Sequence, residues 1–249
     1  MTNEQWKVFC DFKEALRAKI QQWTEAAPEL TELQRKAAAL AETPEYSFET
    51  PVVYNRALDE VSPQDEIKLI VIGDNPGKDE QLAKNNRYLV GQAGKIAEGY
   101  FRRNPELGID FRRNVIILNK TPVHSAKTAQ LKTIEKQGGE KISNLIRESQ
   151  LWMAEYTARL HAALGTELWL VGYSELKDKG IFCSYRDKLK LTLINSSQEA
   201  WNRVYVFQHF SMNRFSIDLG EFIKAAEKEK APLESNIHEL GRIHKDEIF

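Results

Sequence analysis

Four short apolar runs constrain this chain more than any other feature. IKLIVIG (67–73), VIILN (115–119), ELWLVG (167–172) and RVYVFQ (203–208) are rich in β-branched residues and too short for ordinary helices. They lack the strict alternation of a half-exposed strand, so they predict strands buried on both faces, as in a parallel sheet covered by helices. Helical periodicity fills the gaps: about 92–103, a long stretch near 138–163, and 174–190 with a break at Gly180. Phe215, Leu219, Phe222, Ile223 and Ala226 predict a closing helix over 215–229. This alternation predicts an α/β fold, a three-layer α/β/α sandwich with a four-stranded parallel sheet. The last twenty residues are charged and loosely patterned, and predict no element.

Upstream the texture differs. Trp6, Phe9, Phe12, Leu16, Ile20 and Trp23 recur at three- and four-residue steps, which predicts a helix over 4–23. A second helix follows Pro28, with Leu30, Leu33, Ala37 and Leu40 on one face. Pro44, Pro51 and Pro63 punctuate an aperiodic connection. The expected division is a helical N-terminal extension over 1–62 and an α/β/α domain over 63–249. With 42% hydrophobic residues in 249, the chain has enough apolar material for that arrangement. Its 35 basic and 36 acidic residues exclude a whole-molecule attraction to nucleic acid, though not a local basic face. Cys10 and Cys183, without CxxC spacing, cannot form a disulfide framework or a four-thiolate metal site. The first residues lack a signal-peptide order, and no apolar run approaches the roughly eighteen residues of a membrane span. A cytoplasmic location without a membrane partner is expected; oligomeric state is not specified.

In parallel α/β sheets the site lies beyond the carboxyl ends of the strands. Asp74-Asn75-Pro76-Gly77 follows the first run, and Asn119 ends the second, ahead of Lys120 and His124. Gly172-Tyr173-Ser174 follows the third, and Gln208-His209-Phe210-Ser211 the fourth. GDNPGKD departs from the P-loop pattern: three residues separate its glycines, and Asp79 after Lys78 would repel phosphate. A tight turn without further purpose also accounts for Asn-Pro-Gly.

Taken in order, GDNPG, YLVGQAGKIAEGYF, VIILNKTPVHSAKT, ELWLVG and QHFS resemble the uracil-DNA glycosylase superfamily. Its members place a G-x-[DN]-P-[GY] segment after the first strand and an H-P-S-like segment after the last. The resemblance spans roughly residues 66–225, on the order of its elements. It implies hydrolysis of the N-glycosidic bond of uracil or a related damaged base in DNA, as in base excision repair, without a metal or other cofactor. By the same resemblance Asn75 holds the attacking water and Asp74 stands where some branches carry a catalytic glutamate. Asn119 reads the base edge, His209 supports the departing base and Ser211 contacts phosphate. Tyr88, in the segment similar to P-F-V-G-x-A-G, is the candidate stacking residue, beside Leu89 where a phenylalanine is expected. Phe210 replaces the proline of the last motif, and the four cysteines of the cluster-bearing branches are absent.

The chemistry suits these residue types. Glycosidic cleavage passes through an oxocarbenium-like sugar and a departing base anion. Asp74 can act as a base or stabilise the cation, and Asn75 can orient water. A neutral His209 can donate to the leaving base. The carboxamide of Asn119 complements N3–H and O4 of uracil, which must leave the stack to reach it. Tyr100, Phe101 and Phe210 are further candidates for stacking. Lys78, Lys120, His124, Lys127, Lys132 and Arg214, with the hydroxyls of Ser125 and Thr128, form the expected DNA footprint, and Met212–Arg214 the expected wedge. Arg102-Arg103 and Arg112-Arg113 read as a solvated face. His161 and Cys10 read as packing residues, and His238 with His244 as a pair lacking a third metal ligand. Two rival readings stand: a catalytically silent superfamily relative that binds nucleic acid or a nucleobase, and an unrelated α/β module cradling a phosphate at Gly73–Gly77.

Overall fold

The computed structural model describes residues 1–249. In chain order the helices and strands are α1 (Asn3–Ala26), α2 (Leu30–Leu40), β1 (Leu69–Gly73), α3 (Gln92–Arg103), β2 (Val115–Asn119) and α4 (Gln130–Leu164). There follow β3 (Glu167–Val171), α5 (Cys183–Ser196), α6 (Gln198–Asn202), β4 (Val204–Phe207), α7 (Arg214–Ala225) and α8 (Leu233–Ile248). All four strands are parallel, in the order β2-β1-β3-β4.

Alternation along each strand sorts the side chains into two cores. Ile70, Ile72, Ile116, Leu118, Leu168, Leu170, Val204 and Val206 join the larger, with residues of α1, α2, α4 and α5. Leu69, Val71, Val115, Ile117, Trp169, Val171, Tyr205 and Phe207 join the other, with residues of α3, α7 and α8. The result is the expected three-layer α/β/α arrangement. No helix is long and apolar enough to cross a membrane.

Several expectations are corrected in detail. Helix α4 begins at Gln130, well before 138, and kinks at Gly139. Between 174 and 190 a short 3-10 turn, Tyr173–Leu176, precedes α5, which runs on to Ser196. The final residues form α8, whose Ile237, Leu240, His244 and Ile248 are buried against the sheet side of the molecule. The histidine and the charged neighbours masked that periodicity in the sequence. Residues Phe9, Phe12, Leu16, Leu30 and Ala37 of α1 and α2 pack into the same core as Ile70 and Ile72 of β1.

The connection between α2 and β1 also has a structural role. Val53 N–H donates to the Pro122 carbonyl, and Asn55 Nδ2 donates to the Ile117 carbonyl of the edge strand β2. Helix α8 packs along the other edge strand, β4. Both unpaired edges are thereby covered, as a sheet of this kind requires.

Candidate functional site

A cleft of about 880 Å³ opens where the strands end, and Asp74, Asn75, Asn119 and His209 all line it. These come from three segments, and Gly172 and Tyr173 after β3 add a fourth; they meet because the strands are parallel and all terminate at one edge of the sheet.

Asp74 leaves β1 with its side chain 9% exposed as a residue. Its Oδ1 accepts from Lys120 Nζ at 2.6 Å, and its Oδ2 accepts from the Thr128 hydroxyl at 3.3 Å. Gly172, at φ +97°, gives it room: a Cβ there would lie 2.3 Å from Asp74 Oδ1. Lys120 is fully buried and also donates to the Val171 carbonyl at 2.5 Å. Burial pushes its ammonium below the ordinary lysine range, and Asp74 opposes that shift.

The Asn75 amide is oriented by what surrounds it. Its Nδ2 donates to Ser125 Oγ at 2.9 Å and to the Ser125 and Pro76 carbonyls at 3.1 and 3.2 Å. Nδ2 therefore faces the protein and Oδ1 is left as an acceptor. Behind it His124 is fully buried, with Nδ1 at 2.8 Å from the Pro76 carbonyl and Nε2 at 3.0 Å from Tyr46 Oη. A carbonyl can only accept, so Nδ1 carries the proton and Nε2 accepts from the tyrosine. Burial holds this imidazole neutral, down to about 4.

Asn119 ends β2 with 2% exposure, and its Nδ2 is buried with no hydrogen-bond partner. Its Oδ1 lies against Gly73, where a Cβ would approach to 2.5 Å. A glycine at the end of β1 is thus what lets this carboxamide stand beside it. An unpaired buried donor is expensive unless a ligand or water satisfies it.

His209 has a defined tautomer. Its Nδ1 accepts from the Ser211 backbone N–H at 3.1 Å and lies 2.8 Å from Ser211 Oγ. Nε2 therefore carries the proton and makes no hydrogen bond within the chain. Burial lowers the imidazole below its ordinary range, Asp74 pulls the other way and Lys120 reinforces the burial. Phe210, fully buried among Phe111 and Phe215, anchors the segment where a proline is absent.

Two expected site residues are withdrawn by the packing. Tyr88 is fully buried and donates to the Val53 carbonyl at 2.6 Å, so its ring faces the core and not a base. Lys120 is sequestered by Asp74 and does not reach a phosphate. Tyr100, Phe101 and Phe210 are likewise buried in the second core and do not stand at the cleft mouth. Ser125 and Thr128 are committed to Asn75 and Asp74. Lys78, Ser211 and Arg214 do line the cleft, with Lys127 and the 81% exposed Met212. Arg112, expected in solvent, pairs with Glu98 and donates to the Leu89 carbonyl that shapes the cleft wall.

The sequence places Tyr173 at a strand end without a role and does not mark Glu80 at all; both line the cleft. Glu80 is buried, accepts from Gly77 N–H, and is pushed up to about 7 by that burial. No motif marks it; only its position four residues after the Pro76 turn placed it near the site. Comparisons of the chain with models of known families, with curated proteins and with solved structures find no match.

Proposed function

We propose that this chain is a DNA glycosylase, hydrolysing the bond between deoxyribose and uracil or a related damaged base. The observation that carries the reading is the unpartnered Asn119 amide, buried at the floor of a cleft that Asp74, Asn75 and His209 share.

Each group then has a chemical task. The base enters the cleft out of the stack and pairs with Asn119, whose Nδ2 donates to a base carbonyl and whose Oδ1 accepts from a ring N–H. Asn75 Oδ1 accepts a hydrogen bond from water and holds it beside the sugar. The Asp74 carboxylate, tied to Lys120 through Oδ1, faces the growing positive charge of the oxocarbenium-like transition state. His209 donates from Nε2 to the oxygen on which the leaving base gathers negative charge; such a preorganised donor is worth about 3 kcal/mol. Lys78, Lys127 and Arg214 at the rim favour the phosphates on either side.

The test is to incubate the protein with oligonucleotides containing uracil, hypoxanthine or thymine mismatches and cleave abasic sites with alkali. Strand breaks are expected, falling at least about tenfold with Asn75→Ala or His209→Ala. No breaks with any of the three substrates defeats the enzyme reading.

A silent relative that binds nucleic acid or a nucleobase is the second reading. It is favoured by the missing stacking ring: Leu89 lines the cleft where a phenylalanine is expected, Tyr88 is buried in the core, and the Tyr173 ring is packed against His244. Binding without breaks, weakening steeply as salt rises, is its signature.

A further inference from the structure

We propose that Lys120 is a positioning residue of the cleft: its buried ammonium clamps Asp74 where β1 and β3 end, and the pair sets the charge that His209 meets. This deepens the reading given above, in which Asp74 and His209 face the substrate, and rests on it for the catalytic consequence.

Lys120 cannot act on a ligand directly. It is fully buried, and Asp74 stands between its ammonium and the cleft. Its Nζ is enclosed by Asp74 Oδ1 at 2.6 Å, the Val171 carbonyl at 2.5 Å, the Gly73 carbonyl at 3.5 Å and the Phe182 ring at 5.1 Å. Stability is a weak reason for such a placement, because buried ion pairs are often no more stabilising than apolar residues of the same volume. A tie between strand ends would need only a neutral donor for the two carbonyls. A lysine adds a full charge, and it is spent on the single carboxylate that faces the substrate.

Two consequences follow from the geometry. Lys120 and the close backbone of Gly172 occupy Asp74 Oδ1, which leaves Oδ2, with only the longer 3.3 Å bond from the Thr128 hydroxyl, as the less committed oxygen. The charged groups acting on His209 are Asp74, which draws a proton onto the ring, and Lys120, which repels it; Glu175 acts on Lys120 from beyond β3. With the cation removed, Asp74 acts on the imidazole unopposed. With the carboxylate removed, Lys120 does.

The two single substitutions must therefore move His209 in opposite directions; a lysine that is neutral where it lies, or too far from the ring to act on it, would leave the midpoint where it is. The experiment is an NMR titration of the His209 imidazole in the full-length chain, in wild type, Lys120→Met, Asp74→Asn and the double variant. Lys120→Met should raise the midpoint and Asp74→Asn should lower it, each by about half a pH unit or more. The double variant should titrate above Asp74→Asn. Shifts of the same sign, or none, overturn the proposal. If Lys120→Met alone does not fold, Asp74→Asn and the double variant decide it: equal midpoints in those two overturn it. The titration needs no turnover, so an inactive wild type defeats the glycosylase reading without touching this test. In an active protein, the acid limb of base release should move with His209 in each variant.

Discussion

The two ends of one sheet follow opposite rules. At the amino end, charges are near the surface and meet each other. His238 bonds Glu167 at 2.6 Å, Trp169 Nε1 donates to the same carboxylate at 2.9 Å, and Lys68 reaches the Gly108 carbonyl at 2.9 Å. Glu234 completes a group with Glu167 and His238 whose ligand atoms lie within 4.8 Å of one another, so His238 has the neighbours its sequence context did not suggest. At the carboxyl end, the Lys120 ammonium, the Asp74 carboxylate, the Asn119 carboxamide and the His124 imidazole are withdrawn from water, and the amide has no partner at all. The strands themselves are alike in length and burial. Secondary structure does not distinguish the ends; the buried ion pair and carboxamide beside an open cleft do. The Thr166 hydroxyl and Arg203 Nε at the amino end are also buried without a partner; the Asn119 amide differs in lining the cleft, where a ligand can reach it.

The sharpest way to break that contrast is Asn119→Leu. Leucine matches the carboxamide in shape and leaves no donor unpaired, so thermal stability should hold or rise while base release falls at least about a hundredfold. A fall of several degrees in Tm would mean that the amide is already satisfied in the free protein, and the two ends would no longer differ.

Acid stability separates the ends next. His124 is held at about 4 when folded against about 6.5 when unfolded, so the unfolded chain binds more protons in between. Its contribution is complete above about 6.5 and is lost as pH falls toward 4. His124→Gln should therefore flatten the loss of stability between pH 7 and pH 4.5 by roughly 2 kcal/mol, read from urea midpoints. His161, at about 4 for the same reason of burial, remains as the internal reference.

Glu80 has the reverse sign. Its folded value near 7 lies above the unfolded one, so its contribution is fully present below about 4.5 and lost as pH rises through 7. Glu80→Gln should raise Tm at pH 8 by about 2 °C or more and change little at pH 4. The smallest effect belongs to the amino end: Glu167→Gln should alter stability by less than about 1 kcal/mol and leave base release unchanged. A loss of activity there would remove the functional difference between the ends.

Much of this architecture was legible before any coordinates. The four apolar runs match β1 to β4 within a residue or two, because strands buried on both faces leave a signal that polar surroundings do not dilute. Reading just past each run led to Asp74, Asn75, Asn119 and His209, and all four line one cleft. The errors share a cause. The side-chain chemistry of Tyr88 and Lys120 suits a site, but direction and burial depend on neighbours far away in sequence: Val53 for one, Asp74 and Val171 for the other. Helix α8 escaped because its buried face includes a histidine and a lysine whose apolar contacts only the assembled sheet supplies.

The sequence by itself determined the parallel sheet, its helices and the segments that reach its carboxyl edge, because hydrophobic periodicity and turn chemistry act over a few residues. Only the tertiary structure decided which polar groups at that edge face a ligand and which are consumed by one another. An ion pair between residues 74 and 120, or an amide orphaned beside a glycine on the next strand, depends on distances that exist only once the strands lie side by side.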